Sequence, residues 1–329
     1  MTDVGDSPEA KADFDQRLQS AIDRVPFLRN AGEPVRLGGL TNVNVRFGDF
    51  VLRIPGVGTG EYIDRGLEHV AANRAAAAGV NVSVLFFDPD DGLMVTKFLH
   101  GATTMSPHAF LDTGAIARAG QAFRRLHTTT QPFASNFSLF AMIDDYKSLL
   151  ASKNATLPEG YSRAQSTADS ARRALMANPV AFVPSHCDPL CENFLDTGAQ
   201  MFIVDYEYAA NNDPMWDLGD LSVEGGFTAA QDQVLLHAYF DGDVPAVDQA
   251  RMVLYKALCD LLWTLWGVIQ HVNNNPADDF WAYATGRFDR CTTLMATTEF
   301  TASIDLLVSL TVPAAHGDNG GGHEERPSR

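Results

Sequence analysis

The segment HCDPLCEN at residues 186–193 has the form H-x-D-x-x-x-x-N, and it decides how the rest of the chain is interpreted. It is followed by MFIVDYEY at residues 201–208, where the apolar residues of a short predicted strand run directly into Asp205. The sequence Asp-Thr-Gly at 196–198 lies between them and predicts the turn of a small hairpin. We therefore expect Asp188, Asn193 and Asp205 to converge at one end of this hairpin.

An Asp and an Asn at this spacing, followed by a second Asp, form the pattern of a kinase catalytic loop. In such a loop the first Asp accepts or orients the proton of an attacking hydroxyl group. Asn193 and Asp205 offer the oxygen ligands that Mg²⁺ prefers, so ATP and Mg²⁺ are the expected cofactors. His186 is expected to brace the loop by hydrogen bonds. A zinc site formed by His186, Cys187 and Cys191 is the alternative that this segment leaves open.

The sequence before this loop predicts a small β-rich lobe with one helix. Strands are predicted at Val35–Leu37, Val43–Phe47, Phe50–Ile54, Val82–Phe87 and Leu93–Phe98. A helix rich in alanine, Tyr62–Ala78, follows the third strand and stops at Gly79. From there on the chain has mainly helical periodicity, with helices predicted at Thr113–Thr128, Leu139–Ala151, Ser162–Asn178 and Val247–His271 and short strands at Ala181–Val183, Asn193–Leu195 and Met201–Val204. The predicted fold class is α+β, with the two-lobed architecture of the protein kinases.

Four regions follow from this pattern. Residues 1–25 are predicted to form a loosely attached acidic helix. Residues 26–98 are predicted to form a nucleotide-binding lobe with an antiparallel sheet. Residues 99–313 predict a catalytic and substrate-binding lobe that is mainly helical. The Gly-rich polar tail, residues 314–329, is predicted to be disordered.

The predicted nucleotide lobe contains side chains and glycines that suit phosphate binding. The Gly-rich turn at 38–42 can direct backbone N–H groups towards phosphates. Arg53, on the third strand, occupies the place where kinases put a basic residue that pairs with an acid on the following helix, here Glu68. The candidate nucleotide-binding residues are Gly39, Thr41, Asn42, Arg53, Glu68 and Lys97.

The composition narrows the class of partner. The formal net charge of −17 disfavours nucleic acid and favours a small cation. The polar, acidic N-terminus does not have the pattern of a signal peptide, and the longest apolar stretch, Leu258–Ile269, is shorter than the roughly 20 residues that span a bilayer. A cytoplasmic protein with no membrane segment is therefore expected. The four cysteines do not predict a disulfide framework.

Across about residues 35–295 the sequence resembles the choline/ethanolamine kinases, a family within the aminoglycoside-phosphotransferase-like group. The segments that carry the resemblance are GGLTN (38–42), VLRIPG (51–56), HCDPLCENFL (186–195), VDYEYAANNDPMWDLGD (204–220), LLWTLWGVIQ (261–270) and YATGRF (283–288). The resemblance implies that Asp188 is the catalytic base and that Asn193 and Asp205 are Mg²⁺ ligands. It also implies that Asp217 steadies the catalytic loop. In the family the residue between the His and Asp of this loop is commonly Asn, whereas here it is Cys187.

The resemblance further implies a pocket for a quaternary ammonium group, with choline as substrate and phosphocholine as product. Its implied lining residues are Glu207, Tyr208, Glu224, Trp263, Trp266 and Tyr283. Phe280 and Trp281 are expected to be packing residues. Ethanolamine and aminoglycoside kinases are the alternatives among enzymes, and a catalytically silent pseudokinase that senses a small molecule is the alternative from another class. The sequence leaves both a monomer and a homodimer open.

Overall fold

The structure is a computed structural model that describes residues 8–38, 42–56 and 63–310. The first helix of these ranges, α1 (Pro8–Arg24), precedes a five-stranded antiparallel sheet with the order β1-β2-β3-β5-β4. The strands are β1 (Pro34–Arg36), β2 (Val43–Phe47), β3 (Phe50–Ile54), β4 (Val84–Phe87) and β5 (Met94–Lys97). Helix α2 (Arg65–Ala77) lies between β3 and β4 in the chain. The predicted sheet lobe with one inserted helix is confirmed.

Helix α2 begins and ends where local chemistry requires it. The Asp64 carboxylate caps the helix by accepting hydrogen bonds from the backbone N–H groups of Gly66 (2.9 Å) and Leu67 (3.0 Å). The helix stops before Gly79, whose φ of +69° lies in the left-handed region that favours glycine, as the sequence predicts. The helix was predicted to begin at residue 62, which lies outside the described residues; residues 63 and 64 are described and precede the helix, which begins at Arg65.

Helix α1 covers the sheet of the N-terminal lobe. Its residues Leu18 and Ala21 are buried with Leu52 and Val95 of the sheet in one apolar cluster. At the end of α1, the Arg24 guanidinium pairs with the carboxylates of Asp88 and Asp91 in the β4–β5 turn. The expectation of a loosely attached helix is therefore wrong, because the apolar face of α1 closes the core of this lobe.

The larger lobe contains the remaining elements of the described residues. Its helices are α3 (Thr113–Thr129), α4 (Leu139–Ser152), α5 (Tyr161–Ala177), α6 (Pro214–Gly225), α7 (Ala229–Phe240), α8 (Ala246–Val272), α9 (Phe280–Met295) and α10 (Thr298–Ser309). Its strands are β6 (Thr103–Thr104), β7 (Val183–Ser185), β8 (Phe194–Asp196), β9 (Met201–Ile203) and β10 (Ala210–Asn212). The four helices predicted for this lobe are present with ends within one residue of the prediction. The predicted tail, residues 314–329, lies outside the described residues.

Two small sheets hold the segments singled out in the sequence. Strands β8 and β9 form the predicted hairpin around residues 197–200, and β6 adds a third strand to it. Strand β7 pairs with β10, which places the segment before His186 beside the segment after Tyr208. Strands β6 and β10 were not predicted. The pairing with β10 also explains why β7 starts at Val183 and not at the predicted Ala181.

The two lobes share hydrophobic packing through α2. Its residues Ala71, Ala72 and Ala75 belong to the apolar core of the larger lobe. Just after this helix, the carbonyl oxygen of Val80 accepts a hydrogen bond of 2.9 Å from the backbone N–H of Ile203 in β9. Helix α2, which carries Glu68, is thereby fixed relative to the hairpin that ends at Asp205.

Helix α8 runs through the centre of the larger lobe. Among the described residues it alone is long and apolar enough to cross a bilayer by length and composition, and 83% of its most apolar window is buried inside the protein. Packing against α6, α9 and α10 accounts for this burial. Its hydrophobicity is thus used within the lobe.

Candidate active site

The loop that begins at His186 is shaped by one buried carboxylate on α6. Asp217 accepts hydrogen bonds from the backbone N–H groups of His186 (2.7 Å) and Cys187 (2.9 Å). The neighbouring Trp216 donates its indole N–H to the carbonyl oxygen of Cys187 at 3.1 Å. These bonds hold Cys187 at a φ of +69°, a left-handed conformation that a cysteine rarely adopts. Asp217 therefore fixes the backbone on which Asp188 is mounted, as the resemblance implied.

Asp217 has a third partner, which the sequence analysis missed. The His127 imidazole on α3 places Nε2 at 3.1 Å from the Asp217 carboxylate and Nδ1 at 3.0 Å from the Tyr239 hydroxyl. The one sequence signal for His127 is a polar residue on the apolar face of α3, one turn after the buried Phe123. Such a residue is more often a satisfied core histidine than a functional one, and it becomes informative only beside Asp217.

Asp188 and Asn193 are joined to the strand that carries Asp205. The Asn193 side chain donates Nδ2–H to the carbonyl oxygen of Asp188 at 3.1 Å, and its own carbonyl accepts from the N–H of Val204 at 2.9 Å. The His186 ring Nε2 lies 2.9 Å from the carbonyl oxygen of Val204, so this nitrogen carries the proton and braces the loop. Asp205 follows Val204 directly, which places the three predicted catalytic residues on one bonded framework.

Asp205 faces the smaller lobe and contacts its buried arginine. Asp205 has a φ of +68°, and its Oδ1 accepts from Arg53 Nη1 at 2.9 Å. Arg53 also forms an ion pair with Glu68, so the predicted strand-to-helix pair is present. Its other amino group donates to the carbonyl oxygen of Gly92 at 3.2 Å. The predicted basic residue, helix acid and second carboxylate thus form one chain of contacts across the lobes.

Glu207 belongs to the same interlobe cluster. Its Oε2 lies 3.3 Å from Arg65 Nη1 and 3.2 Å from Asn42 Nδ2. Arg65 also contacts Glu68 at 2.6 Å, so Glu68 is shared by two arginines. Burial and the neighbouring charge of Asp205 raise the pKa of Glu207 to about 7. Sequence reasoning missed Arg65; its spacing of three residues from Glu68 on a helix was the available signal.

Four further residues were predicted to bind the nucleotide: Asn42, Lys97, Gly39 and Thr41. Asn42 lies at the start of β2, where its Oδ1 accepts from the backbone N–H of Gly56 at 3.3 Å. Lys97 is exposed at the end of β5. Gly39 and Thr41 lie outside the described residues. The nucleotide-binding roles of these four residues stay predictions.

Asp188 is half-buried in a strongly acidic setting. Burial raises its pKa well above the ordinary value, and the nearby charges of Glu224, Asp205 and Glu207 raise it further. The Arg287 guanidinium acts in the opposite direction. Acids gathered in this way repel one another in the free protein, so the site favours cations that would relieve the repulsion.

A row of aromatic rings is formed by Tyr208, from the segment between β9 and β10, and by residues of α8 and α9. The ring centroids of Tyr208 and Trp263 are 6.3 Å apart, those of Trp263 and Trp266 are 6.3 Å apart, and those of Trp266 and Tyr283 are 5.6 Å apart. Phe280, which was expected to be a packing residue, joins the row at 5.5 Å from Trp266. The structure therefore brings all four predicted aromatic lining residues together.

A glycine allows this row to close. A Cβ atom on Gly267 of α8 would lie 2.7 Å from the Tyr283 ring and 3.0 Å from the Ala284 side chain. The absence of a side chain there lets α9 approach α8 and places Tyr283 against Trp266. Burial raises the pKa of Tyr283, and the Arg287 guanidinium, 5.0 Å from the centroid of this ring, connects it to Glu224.

Glu224 was expected to add a negative charge at the rim of the pocket, but its charge is not free. Its side chain is only 12% exposed and forms an ion pair with Arg287 on α9. Arg287 lies four residues after Tyr283, so both face Glu224 from the same side of the helix. Arg287 was quoted in the sequence motif but was not predicted to be a site residue.

The zinc alternative is wrong. The Sγ atom of Cys187 lies 3.8 Å from the carbonyl oxygen of Ala210, and His186 Nε2 is occupied by Val204. Among the described residues, the one group of three potential ligand atoms within 4.8 Å of one another is Asp220, Glu224 and Cys259. His186, Cys187 and Cys191 therefore do not form a common ligand set.

The oxygen donors at the interlobe cluster suit Mg²⁺. Because Asn193 uses Nδ2 to bond the loop, its Oδ1 points the other way and is the atom that a hard cation would take. The Asp205 side chain is 31% exposed and supplies a carboxylate on the same framework. The two predicted ligands thus fit the metal in type and placement.

Two lobes joined at an acidic cluster, with an H-x-D-x-x-x-x-N loop and a following Asp, define a kinase-type phosphotransferase. Comparison with known proteins supports this class and narrows it. Residues 33–253 match the phosphotransferase enzyme family, which covers more than half of the chain. The crystal structure of a choline/ethanolamine kinase family protein from Mesorhizobium loti is 52% identical, has a TM-score of 0.84, and is matched over 89% of this chain and 98% of that one. The chain belongs to the choline/ethanolamine kinase family and is an ATP-dependent phosphotransferase that acts on small alcohols.

Two further relatives agree with this assignment. Protein LicA of Haemophilus influenzae is 27% identical over 270 residues, which are 77% of each chain. The crystal structure of LicA in complex with AMP is 25% identical, has a TM-score of 0.65, and is covered over 80% of this chain and 91% of that one. The AMP complex supports nucleotide binding in this family.

Proposed function

We propose that this protein transfers the γ-phosphate of ATP to the hydroxyl group of choline. The observation that carries the choice of substrate is the row Tyr208–Trp263–Trp266–Tyr283, whose Tyr283 ring lies beside the Arg287–Glu224 ion pair. The 52% identical relative from Mesorhizobium loti, named as a choline/ethanolamine kinase family protein, supports a small amino alcohol. In this proposal residues 26–98 bind the nucleotide, and residues 99–313 supply the catalytic and substrate-binding groups.

Aromatic faces are suited to a quaternary ammonium group for a physical reason. A trimethylammonium group has no N–H to donate, so carboxylates attract it only through charge. Each ring face adds about 0.5–2 kcal/mol through its quadrupole. A primary ammonium group such as that of ethanolamine gains more from direct hydrogen bonds to carboxylates. The aromatic row therefore favours choline over ethanolamine.

Asp188 is the group that would orient the choline hydroxyl and accept its proton. Its raised pKa in the free protein results from burial and from the neighbouring acids. A substrate cation beside Glu224 and the aromatic row brings positive charge to this setting, which lowers the pKa of Asp188 and favours the carboxylate. Substrate binding and activation of the base are thus coupled through charge.

Asn193 and Asp205 would hold the magnesium ion, which neutralises phosphate charge and aligns the transferred group when it is bound. Arg53, fixed by Glu68, lies within reach of the same region through its contact with Asp205. The two hydrogen bonds that Asp217 accepts fix the backbone of the loop, so Asp188 and Asn193 keep the same positions relative to each other. Most of the rate enhancement would then come from positioning and electrostatics.

A panel of alcohols tests the proposal. Purified protein is incubated with Mg-ATP and choline, ethanolamine or an aminoglycoside, and ADP release is compared with the rate without substrate. We expect choline to give the highest kcat/KM and Asp188→Ala to abolish the stimulated rate while nucleotide binding is retained. Preference for another alcohol would replace choline as the substrate. If no alcohol raises ADP release above the rate without substrate and the nucleotide still binds tightly, the pseudokinase alternative is favoured.

A further inference from the structure

A chain of buried ion pairs lies directly behind the aromatic row, between α8 and α9. Asp260 of α8 is fully buried and accepts two hydrogen bonds from Arg290 of α9, at 2.6 Å from Nε and 2.5 Å from Nη2. The same carboxylate contacts Arg287 Nη1 at 3.2 Å. Asp260 is therefore neutralised by Arg290, and its second partner, Arg287, can serve another acid.

That other acid is Glu224 of α6. Arg287 Nη1 forms an ion pair with the Glu224 carboxylate, and the side chains of both residues are about one tenth exposed. The guanidinium carbon of Arg287 also lies 5.0 Å from the centroid of the Tyr283 ring. Arg287 thus contacts one carboxylate and one aromatic face that the pocket would otherwise offer to a substrate cation.

The residues around Arg287 and Glu224 are consistent with this ion pair. Burial by itself lowers the pKa of Arg287, but the charge of Glu224 and the other neighbouring groups together outweigh it and raise that pKa. Asp220, one turn before Glu224, accepts a hydrogen bond of 2.8 Å from the Cys259 thiol. Burial and the charges of Glu224 and Asp188 raise the pKa of Asp220 well above its ordinary value. On this wall, Asp220 is thus held by the Cys259 thiol and Glu224 is paired with Arg287.

We propose that Arg287 determines the head-group selectivity of the pocket: by occupying Glu224 it withholds a hydrogen-bonding carboxylate and so favours a quaternary over a primary ammonium group. This inference rests on the proposed function, because it assumes an amino alcohol at the aromatic row. A primary ammonium donates three N–H bonds and loses most where carboxylates are already paired. A quaternary ammonium donates none and is bound through the rings and the overall negative charge.

Equilibrium binding and turnover test the proposal in the full-length protein. Arg287→Gln removes the charge that masks Glu224 and leaves Asp260 paired with Arg290. We expect affinity for ethanolamine relative to choline, measured by calorimetry, to rise about ten-fold, the size of a new hydrogen bond to a charged group. The ratio of kcat/KM values for the two alcohols should move in the same direction.

Three further variants separate selectivity from structure. Arg290→Gln removes the other partner of Asp260 without touching Glu224, so it should lower the melting temperature while the ethanolamine-to-choline ratio stays constant. Arg287→Lys keeps a cation beside Glu224 and should restore most of the wild-type ratio. In the double variant Arg287→Gln/Glu224→Gln the gain for ethanolamine should disappear, because the freed acceptor is gone.

The outcomes distinguish this inference from the proposed function. An unchanged ratio in Arg287→Gln, or an equal shift in Arg290→Gln, would overturn the role of Arg287 while choline turnover by the wild type stands. If Arg287→Gln does not fold, a wild-type ratio in Arg287→Lys supports the role of the charge, and a shift of ten-fold towards ethanolamine in Arg287→Lys contradicts it. A wild type that binds neither alcohol would overturn both proposals, whereas a wild type that binds both but does not release ADP would overturn the proposed function alone.

Discussion

Two sets of buried carboxylates lie within the same part of the larger lobe and are treated in opposite ways. Asp217 accepts hydrogen bonds from two backbone N–H groups and contacts the His127 ring. Asp213, at the start of α6, accepts from the backbone of Met215 at 3.0 Å and is paired with Arg251 and the Tyr255 hydroxyl. Each of these two carboxylates is surrounded by donors. They fix the fold.

Asp188 is surrounded mainly by other acids, and Glu207 lies beside Asp205 although Arg65 and Asn42 also contact it. The pKa of each is raised by burial and then by neighbouring carboxylates, which is the reverse of what a structural ion pair does. The difference shows that the burial of an acid does not reveal its role. What separates Asp213 and Asp217 from Asp188 is whether the protein itself supplies the donors or leaves them to a ligand, and Glu207 lies between these two cases.

The largest effect is expected at the catalytic member of the second set. Asp188→Asn should lower kcat by about 10³-fold, within the 10²–10⁴-fold range of a lost general base. Its free energy of unfolding at pH 8 should equal or exceed that of the wild type, because a carboxylate is removed from an acidic cluster. ADP release and urea unfolding measure the two quantities. Loss of stability together with activity would place Asp188 among the structural acids and end the comparison.

Substitution of Asp217, a member of the first set, should instead lower the free energy of unfolding. Asp217→Asn presents an N–H where a buried backbone donor needs an acceptor, so we expect a loss of about 2–4 kcal/mol in the free energy of unfolding. Urea unfolding at pH 7.5 checks this value. The matched control is Asp188→Asn, the same chemical change one loop away. Equal stability of the two variants would show that donors around Asp217 do not matter.

Glu207 should make the free energy of unfolding depend on pH. Its pKa of about 7 in the folded protein is above the value of 4.5 in the unfolded chain, so the folded state binds the proton more tightly. The free energy of unfolding should therefore fall as pH rises from about 4.5 to about 7, by at most about 3 kcal/mol. Glu207→Gln should flatten that part of the pH profile, measured by urea unfolding from pH 4.5 to 8.5 without nucleotide. An unchanged slope would mean that Glu207 is already compensated.

The smallest effect concerns the aromatic wall that faces the acids. Trp263→Leu should weaken choline binding by about ten-fold, close to 1.4 kcal/mol, while ATP affinity changes little. Trp281→Leu is the control, since Trp281 stacks near His271, 5.3 Å between ring centroids, and lies outside the aromatic row. Calorimetric titration with choline and with ATP gives both constants. A similar loss for both ligands would identify Trp263 as a core residue only.

The sequence predicts the elements of the fold well because their signals are local. The strands β2 and β3 are found at the predicted residues, since alternating apolar residues and the Gly48-Asp49 turn act over a few positions. The attachment of α1 was missed because polar and charged residues outnumber the apolar ones in this helix. Strand β10 was missed because it exists only through its pairing with β7.

The residues of the candidate site also fall into two groups, those with a local sequence signal and those without one. Asp188, Asn193 and Asp205 are identified by spacing on a loop and a hairpin, which the chain itself fixes. His127 and Arg287 were missed because each acts on a residue far away in sequence, Asp217 and Glu224 respectively. A lone His or Arg on a helix has no local pattern that separates a site residue from an ordinary one.

Residue order alone thus determined the chemistry on offer: a loop with a base and an amide, a strand that ends in an acid, and two tryptophans one turn apart on an apolar helix. Tertiary structure decided which acids are neutralised from within and which still call for a cation. That choice depends on distances of about 3 Å between side chains on different elements, and in a poorly polarisable interior such distances set the size of the interaction energy.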